Sequence, residues 1–513
     1  MLSRRMLARL AGPILALPAL PAAAQSRAGT LRVVSPWEIG GLDPARSGYI
    51  FARMQVAETL VTTDRDNNLA PLLARGWRVD EDGLTWTFDL RAGATFHDGT
   101  ALSAEAAAAS LRRAQTPPGI LAAAPVAAIE AAGDAVRIRT SRPFAALPAF
   151  LAHSSTLILA PGASGPDGAV RTVIGTGPFR LTALMPPQGF EAERFDGWWG
   201  GKVAASGARY LAVTRGETRT LMADTGEADL VFNLPPTAFQ RLSRNPRIAL
   251  TTAAIPRSYI LKLNAGGFFF GDVRARRALS MAIDRAGIAA GLLRTPDAAA
   301  TQLFPPSLSG WHDPALPPLA HDPQAARRLL AEAGWQPGAD GVLARDGRAF
   351  RVTLRTFPDR PEQPVLATAI QAQLKEVGIA VEVAIGNSGD IPLGHRDGTL
   401  DLGLAARNFS LVPDPIGTLL QDYGPEGGDW GAMGWSGAGS AELAELIGTL
   451  SGTFDPAAAA PLRRRAAAIL QAELPVVPLA WFVHSVAAGK RLAGVTLDPF
   501  EQSYRLSDIR PGA

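Results

Sequence analysis

Residues 263–285 read LNAGGFFFGDVRARRALSMAIDR, and this stretch decides the fold class of the chain. Asp272 is a residue type that caps helices, and the apolar residues after it recur at helical spacing. The stretch therefore predicts a helix that begins after Asp272 and buries one face. At its end, Asp284 and Arg285 are expected to form an ion pair or a solvated helix terminus. The predicted apolar face consists of Ala275, Leu279, Ala282, Ile283 and Ala286.

Segments with alternating side chains predict strands on either side of this helix. In residues 85–91, Trp86, Phe88 and Leu90 share one face and polar side chains occupy the other. That pattern is typical of a half-buried strand. Two shorter segments alternate in the same way, at residues 136–139 and 352–355.

Two further helices are marked by their ends. Asp322 and Pro323 supply a cap and a first-turn proline, and Gly334 ends the helix that follows them. A second helix is predicted over residues 362–375 and leads into a strand over residues 379–385. Helices and strands thus mix along the chain, which indicates an α/β fold.

Composition excludes some classes of partner. The chain has 513 residues, of which 47% are hydrophobic and 19% charged, as in a globular protein of about two to four domains. Its formal net charge is +3, but Arg4, Arg5 and Arg9 lie in an N-terminal segment without acidic residues. The remainder is formally neutral, which argues against nucleic acid or an anionic membrane surface as the main partner.

Residues 1–24 are predicted to be a signal peptide. A basic start is followed by a short apolar stretch and by Ala22-Ala23-Ala24, an A-x-A cleavage site. The pair Arg4-Arg5 resembles a twin-arginine signal, and an ordinary secretory leader is the alternative. The sequence has no cysteine, so neither disulfides nor a lipid-attachment cysteine are available. We therefore expect a periplasmic protein without a lipid anchor.

Sequence signatures of catalysis do not occur. Neither Gly-x-Ser-x-Gly nor His-Glu-x-x-His is present, and the six histidines are scattered without metal-ligand spacing. A pair of carboxylates can still assemble in space, so a hydrolase of peptides or esters remains the alternative. We expect no enzyme activity, no catalytic residue, no metal site and no cofactor.

Short motifs along the chain occur in the order found in a known family. Each motif is weak alone, but together they cover nearly the whole mature chain. Through them the chain resembles family 5 of the bacterial extracellular solute-binding proteins, which includes dipeptide, oligopeptide and nickel binders. The motifs are Leu42-Asp43-Pro44, Pro71-Leu72-Leu73-Ala74, Phe96-His97-Asp98-Gly99-Thr100, Ile174-Gly175-Thr176-Gly177-Pro178-Phe179, Gly226-Glu227-Ala228-Asp229, Leu263-Asn264, Asp272-Val273-Arg274, Ala282-Ile283-Asp284-Arg285, Asp322-Pro323 and Pro413-Asp414-Pro415.

This resemblance implies a fold and a division into domains. The implied fold is the three-domain flytrap of periplasmic binding proteins, α/β, class II-like and of the cluster C type, with a discontinuous domain I. The glycines at 175 and 177 are expected to permit a tight backbone path where the chain returns to domain I. The expected domains are residues 25–57, 171–262 and 478–513 for domain I, 58–170 for domain II, and 263–477 for domain III.

Relatives in this family bind their ligand between domains I and III, which implies candidate contact residues here. Arg407 is a candidate because a guanidinium can hold a carboxylate with two hydrogen bonds, and a solvated strand-end arginine is the alternative. Phe409 and Trp430 suit stacking on a solute or packing in the core. The implied ligand-binding residues are Tyr49, Ile50, Arg257, Tyr259, Arg407, Phe409 and Trp430.

One position departs from the peptide-binding relatives. They place an Asp three residues before the late Asp-Pro to pair with the peptide α-amine, and this chain has Leu411 there. An α-amine buried against leucine loses its charge partner, at a cost of several kcal/mol. A small anion, an opine-like solute or a metal chelate is therefore weighed against a peptide.

The resemblance implies a binding function without chemistry. We expect the periplasmic, monomeric substrate-binding component of an ABC importer. It captures a peptide-like solute, or an anionic organic solute or metal chelate, by closing two lobes around it. It then delivers the solute to the ABC permease complex in the inner membrane. A nickel or metallophore binder is the alternative within this class.

Overall fold

The structure is a computed structural model that describes residues 29–358, 360, 362–424 and 428–512, so the predicted signal peptide lies outside the described residues. Its strands contribute to five sheets. The strands are β1 (Thr30–Ser35), β2 (Val61–Thr63), β3 (Leu69–Pro71), β4 (Ala74–Val79), β5 (Thr85–Leu90), β6 (Val126–Ala132), β7 (Ala135–Thr140), β8 (Phe179–Met185), β9 (Gly189–Arg194), β10 (Gly207–Ala212), β11 (Leu230–Phe232), β12 (Ile248–Leu263), β13 (Gln336–Pro337), β14 (Leu343–Arg345), β15 (Arg348–Ala349), β16 (Arg351–Thr356), β17 (Ala380–Ile385), β18 (Leu402–Asn408), β19 (Val476–Gly489), β20 (Leu492–Ala493) and β21 (Arg510–Pro511).

Helices cover the sheets and fill the segments between them. None of the described helices is both long and apolar enough to cross a membrane. The α-helices are α1 (Pro44–Arg53), α2 (Ala104–Ala114), α3 (Leu147–Phe150), α4 (Gly216–Thr225), α5 (Phe239–Ser243), α6 (Val273–Ala282), α7 (Arg285–Gly287), α8 (Pro323–Glu332), α9 (Glu362–Glu376), α10 (Asp390–Arg396), α11 (Ile416–Tyr423), α12 (Ala438–Ser451) and α13 (Pro456–Glu473).

A ten-stranded mixed sheet is the largest sheet of the described structure. Its strand order is β17-β16-β18-β12-β19-β11-β1-β10-β9-β8. The two long strands β12 and β19 pair antiparallel at its centre and join the segments expected in domains I and III. A separate four-stranded sheet, β4-β5-β7-β6, lies within the segment expected as domain II. The domain boundaries themselves stay a prediction.

Most predicted elements are present at the expected places. Strand β5 buries Trp86, Phe88 and Leu90, as its alternation predicts. Helix α8 begins at the Asp322 cap, whose side chain accepts a hydrogen bond from Ala325 N. Helix α9 and strand β17 follow one another as predicted and belong to an α/β unit. The mixed α/β architecture is thus observed.

The end of helix α6 differs from its prediction. The helix stops at Ala282, which leaves Ala286 exposed outside the apolar face. Arg285 is buried, and its guanidinium donates to Ser280 O and Oγ and to Pro478 O. The expected ion pair or solvated end was therefore wrong for Arg285: backbone and hydroxyl oxygens satisfy its charge inside the protein.

Gly175 and Gly177 lie where the chain passes close to the end of helix α1. A Cβ added at Gly177 would lie 2.1 Å from Gln55 O, and one added at Gly175 would lie 2.2 Å from Val56 O. Both contacts are with backbone atoms, which cannot rotate away. The expected tight backbone path is confirmed, and it requires glycine because a side chain has no room.

We predict that Gly177→Ala lowers the free energy of unfolding by about 3 kcal/mol, because the new methyl group overlaps a fixed carbonyl. The matched control is Gly76→Ala, where an added Cβ meets no atom within 4 Å. Thermal unfolding of both variants checks this. Equal melting temperatures for the two variants would contradict the close approach.

Candidate functional site

A cavity of about 910 Å³, including its open mouth, lies where segments from all three expected domains meet. Helix α1 and the C-terminal loop near residue 501 line one side, and the end of β18 lines another. A turn that follows α3 closes the remaining wall. The lining residues are Tyr49, Ala52, Arg53, Gln55, Ala57, Glu58, Thr59, Thr62, Leu72, Ala152, His153, Ser154, Leu157, Arg257, Asn408, Ser410, Leu411, Phe500, Glu501, Gln502 and Ser503.

Helix α1 places Arg53 at the cavity. Asp43 caps this helix by accepting a hydrogen bond from Ala45 N, and Pro44 occupies its first turn. Arg53 is its last residue, and its Nε donates to Glu501 O at 2.6 Å. The side chain is 12% exposed, so its charge faces the cavity from a nearly buried position.

A β-bulge aims Arg257 at the same cavity. The pairing of β12 with β19 is interrupted between Ala254 and Ser258, where Pro256 has no N–H to donate to a ladder. On its other edge, Arg257 lies directly opposite Asn408 of β18. Bulges of this kind re-aim side chains beside functional sites.

Glu501 joins the two arginines from a strained loop. Its Oε2 accepts a hydrogen bond from Arg257 Nη2 at 2.8 Å, and its Oε1 lies 3.7 Å from Arg53 Nη2. Its φ of 54° is left-handed, which is rare for a non-glycine residue. The buried carboxylate of Asp498 holds this loop by accepting from the backbone N–H groups of residues 500, 502 and 503.

The charges of this cluster do not balance. Burial alone raises the pKa of Glu501, but the nearby guanidiniums of Arg257 and Arg53 outweigh burial and lower that pKa to about 2. Arg257 and Arg360 both stack on the ring of Phe482, at 5.1 and 4.8 Å from its centroid. Burial also lowers the pKa of Arg257, since removing a cation from water is costly. Two guanidiniums thus contact one carboxylate, and the charge of Arg360 also lowers the pKa of Glu501.

Arg257 keeps one unused donor. Its side chain is 9% exposed, and Nη2 is occupied by Glu501. Within the part of the chain that the structure describes, the buried Nη1 has no hydrogen-bond partner. A buried charged donor without a partner is uncommon in folded proteins, and a bound molecule is one way to supply the missing acceptor.

The second carboxylate of the lining, Glu58, is engaged by the protein itself. Its oxygens accept hydrogen bonds from Trp198 Nε1 at 3.0 Å, Trp199 Nε1 at 2.9 Å and Thr176 Oγ1 at 2.8 Å. Burial raises the pKa of Glu58 to about 7 against these bonds. Glu58 is therefore occupied by the protein, whereas Glu501 keeps one oxygen, Oε1, without a hydrogen-bond partner among the described residues.

The structure brings two of the seven predicted ligand residues to the cavity, Tyr49 and Arg257. The Tyr49 hydroxyl donates to Glu38 O at 3.2 Å, and the Arg53 guanidinium lies 5.4 Å from its ring. Leu411, the position that departs from peptide binders, also lines the cavity.

Four other predicted residues lie away from the cavity lining. Ile50 and Phe409 are almost fully buried in apolar clusters, and Phe409 packs edge-on against Phe304. Tyr259 is buried and donates to Glu362 Oε1 at 2.6 Å, and Trp430 packs beside Met433. These side chains pack in the protein interior, as most aromatic residues do.

Arg407 is bound inside the protein. Its Nε and Nη2 donate to the two oxygens of Asp422 at 2.6 and 2.5 Å, and Nη2 also donates to Gln421. Asp422 is 3% exposed and needs this partner. An arginine neutralised in this way has no free charge for a solute, and it is not among the residues of the cavity.

Comparison with known proteins identifies the family. The sequence profile described as "Bacterial extracellular solute-binding proteins, family 5 Middle" matches residues 68–430, most of the chain. The chain belongs to family 5 of the bacterial extracellular solute-binding proteins. The resemblance seen in the sequence motifs is thereby confirmed.

Two curated family 5 proteins show how far the similarity extends. The nickel-binding periplasmic protein of Escherichia coli (strain K12) is 25% identical over 503 residues, which is 93% of each chain. The glutathione-binding protein GsiB of Salmonella choleraesuis (strain SC-B67) is 29% identical over 335 residues. That match covers 64% of this chain and 63% of the relative. Both relatives are named as binding proteins.

A solved structure confirms the fold of this family 5 protein. NikA from Brucella suis, in complex with Fe(III)-EDTA, superposes with a TM-score of 0.85 at 24% identity. The match covers 94% of this chain and 100% of that one. The predicted fold class, the multidomain α/β fold of periplasmic binding proteins, is confirmed.

Sequence reasoning missed Arg53, Glu501 and His153. Arg53 lies one helix length after the Asp43-Pro44 cap, so the sequence indicates that it is near a helix end. The sequence does not indicate that this end borders the cavity. Glu501 lies in an irregular C-terminal loop and is 244 residues from Arg257 along the chain. No local pattern signals a contact of that range.

We predict that Glu501→Gln destabilises the protein by about 3 kcal/mol at pH 7, because it leaves buried arginines without a counter-charge. The pKa of Glu501 is lowered in the folded state from 4.5 to about 2. Its stabilising contribution is therefore full above pH 4.5 and is lost as the pH falls towards 2. Denaturant unfolding at several pH values measures the difference between wild type and variant.

The matched control is Glu445→Gln, on the exposed side of helix α12. Its unfolding curve should follow the wild type at every pH. A Glu501→Gln deficit that stays constant between pH 7 and pH 3 would contradict the charge cluster.

Proposed function

We propose that this chain is the substrate-binding component of an ABC importer and binds a small anionic solute in the cavity beside Arg257. It acts in the periplasm after removal of its signal peptide, as a monomer without a lipid anchor, and delivers the solute to the inner-membrane permease. Family membership supports the class of function, and the charges of the cavity support the class of solute.

The unused Nη1 donor of Arg257 carries this proposal. Placing a guanidinium in a nearly dry site costs free energy unless its donors are satisfied. Glu501 accepts a hydrogen bond from Nη2 of this guanidinium, and Nη1 has no partner among the described residues. A solute carboxylate would complete the hydrogen bonds of Arg257 and offset the excess positive charge of Arg53 and Arg257.

The same lining disfavours a free peptide. The α-amine of a peptide needs a negative partner, and the position that supplies it in peptide binders is Leu411, which lines the cavity. Glu58 is already engaged by the protein, and Glu501 is paired with Arg257 and lies beside Arg53. An anionic organic acid or an anionic metal chelate fits this distribution of charge better than a peptide-like solute with a cationic end.

The relatives point to both kinds of solute. One is named for nickel and another for glutathione, while the solved Brucella suis structure holds Fe(III)-EDTA, an anionic chelate. A nickel or metallophore chelate is therefore the leading candidate among anions, and the excess of guanidiniums at the cavity favours it.

Lobe closure accounts for capture and release. The cavity is lined by segments expected in domain I, domain II and domain III, so a bound solute contacts all of them. A ligand that binds the closed form better than the open form shifts the population towards closure. The closed form is then the one that the permease meets.

We predict that wild-type protein purified from its own periplasm carries a small anionic molecule, seen as added mass by native mass spectrometry. Arg257→Met should lose most of it, because one charge-assisted hydrogen bond is worth about 1.5–3 kcal/mol, or about tenfold to a hundredfold in affinity. The control is Arg464→Met, an exposed arginine of helix α13, which should retain the added mass.

Retention of the solute by Arg257→Met would refute the anion site. Steady turnover of peptides or esters by the purified protein would refute the binding function itself and favour a periplasmic hydrolase.

A further inference from the structure

His153 lies on the cavity wall, at the start of the turn that follows α3, and its position is fixed by the chain around it. It precedes a short helical turn, Ser154–Thr156, and caps it. Helix α1 packs closely on this turn: a Cβ added at Gly48 would lie 2.5 Å from Ser154 O. The turn that carries His153 and the helix that carries Arg53 are therefore held together.

The hydrogen bonds of His153 determine which ring nitrogen carries the proton. Its Nδ1 accepts from the backbone N–H of Ser155 at 3.1 Å and lies 2.9 Å from Ser155 Oγ. A nitrogen that accepts from an amide cannot hold a proton, so the neutral ring carries its proton on Nε2. Burial lowers the pKa of His153 to about 4, which keeps the ring neutral near pH 7.

This tautomer makes Nε2 a donor. The Ser155 contact occupies the opposite edge of the ring, and no described residue accepts from Nε2. Coordination of a metal through Nε2 requires the proton to move to Nδ1, where it would meet the Ser155 N–H. The geometry therefore opposes metal ligation by His153 and favours donation to an acceptor atom.

Asn408 presents a donor in the same way from a third segment. Its Oδ1 accepts from both N and Oγ of Ser410, at 2.9 and 2.8 Å. That leaves the amide Nδ2 as its remaining polar group, with no acceptor among the described residues. Arg257, His153 and Asn408 belong to the segments expected as domains I, II and III, respectively.

We propose that donors on Arg257, His153 and Asn408 hold acceptor oxygens of the solute, with His153 as a fixed Nε2–H donor that helps to set specificity. This inference rests on the proposed function and names its solute class more closely: a compound with several carboxylate oxygens that reach three segments. A metal enters only inside such a chelate, with its ligands supplied by the solute and not by His153.

The test uses the Cu(II)–EDTA complex as the probe, because it presents carboxylate oxygens and has an electron paramagnetic resonance spectrum. Full-length protein is titrated as wild type, His153→Gln and His153→Phe. The Gln amide can donate near the position of Nε2, so its affinity should stay within about threefold of wild type. Phe keeps the bulk but lacks a donor, so its affinity should fall about tenfold.

The spectrum gives a second readout that a structural role would not move. We expect the bound probe to show no added coupling to an imidazole nitrogen. Such coupling in the wild type, equal binding by His153→Phe, failure of His153→Gln to retain affinity, or no binding of the probe by wild type would each overturn the inference. Melting temperatures of both variants exclude misfolding as the cause of a loss.

Arg257→Met separates this inference from the proposed function. If Arg257→Met loses the probe and His153→Phe binds it like wild type, the anion site stands and the donor role of His153 fails. If Arg257→Met retains the native periplasmic solute, the proposed anion site is wrong, whatever the His153 variants show.

Discussion

The cavity depends on the buried contact between Glu501 and the arginines at positions 53 and 257. Each guanidinium loses hydration on burial. One carboxylate cannot offset the free-energy cost of that loss for both guanidiniums. At the cavity the folded protein therefore keeps two guanidiniums beside one carboxylate, and Nη1 of Arg257 stays without a partner among the described residues. Under the proposed function an anion completes this site, and its binding would also stabilise the folded protein.

Regular elements hold this strained arrangement in place. The bulge at Pro256 turns Arg257 out of the long strand β12, and Asp498 holds the left-handed loop that carries Glu501. Helix α1 supplies Arg53 from its last turn. Each group is fixed by local hydrogen bonds, so the solute meets donors that need little reorganisation, which lowers the entropic cost of binding.

The structure brings some of the predicted site residues to the cavity and places others elsewhere, and those placed elsewhere share one cause. Arg257 and Tyr49 line the cavity, and Leu411 was recognised as the position that departs from peptide binders. Arg407 was expected at the cleft because arginines bind carboxylates, but the carboxylate that it binds is Asp422 of its own chain. A residue type predicts the chemistry of a contact, and the identity of the partner is set by the fold.

The sequence alone determined the main helices and strands, the fold class and the resemblance to family 5. The helices and strands follow from periodicity, caps and glycines, which act over a few residues and are therefore visible in order along the chain. The family follows from the resemblance of its ordered motifs. Only the tertiary structure decided which charges meet at the cavity. Glu501 and Arg257 come together across 244 residues, and the free energy of that contact depends on burial, which no local pattern records.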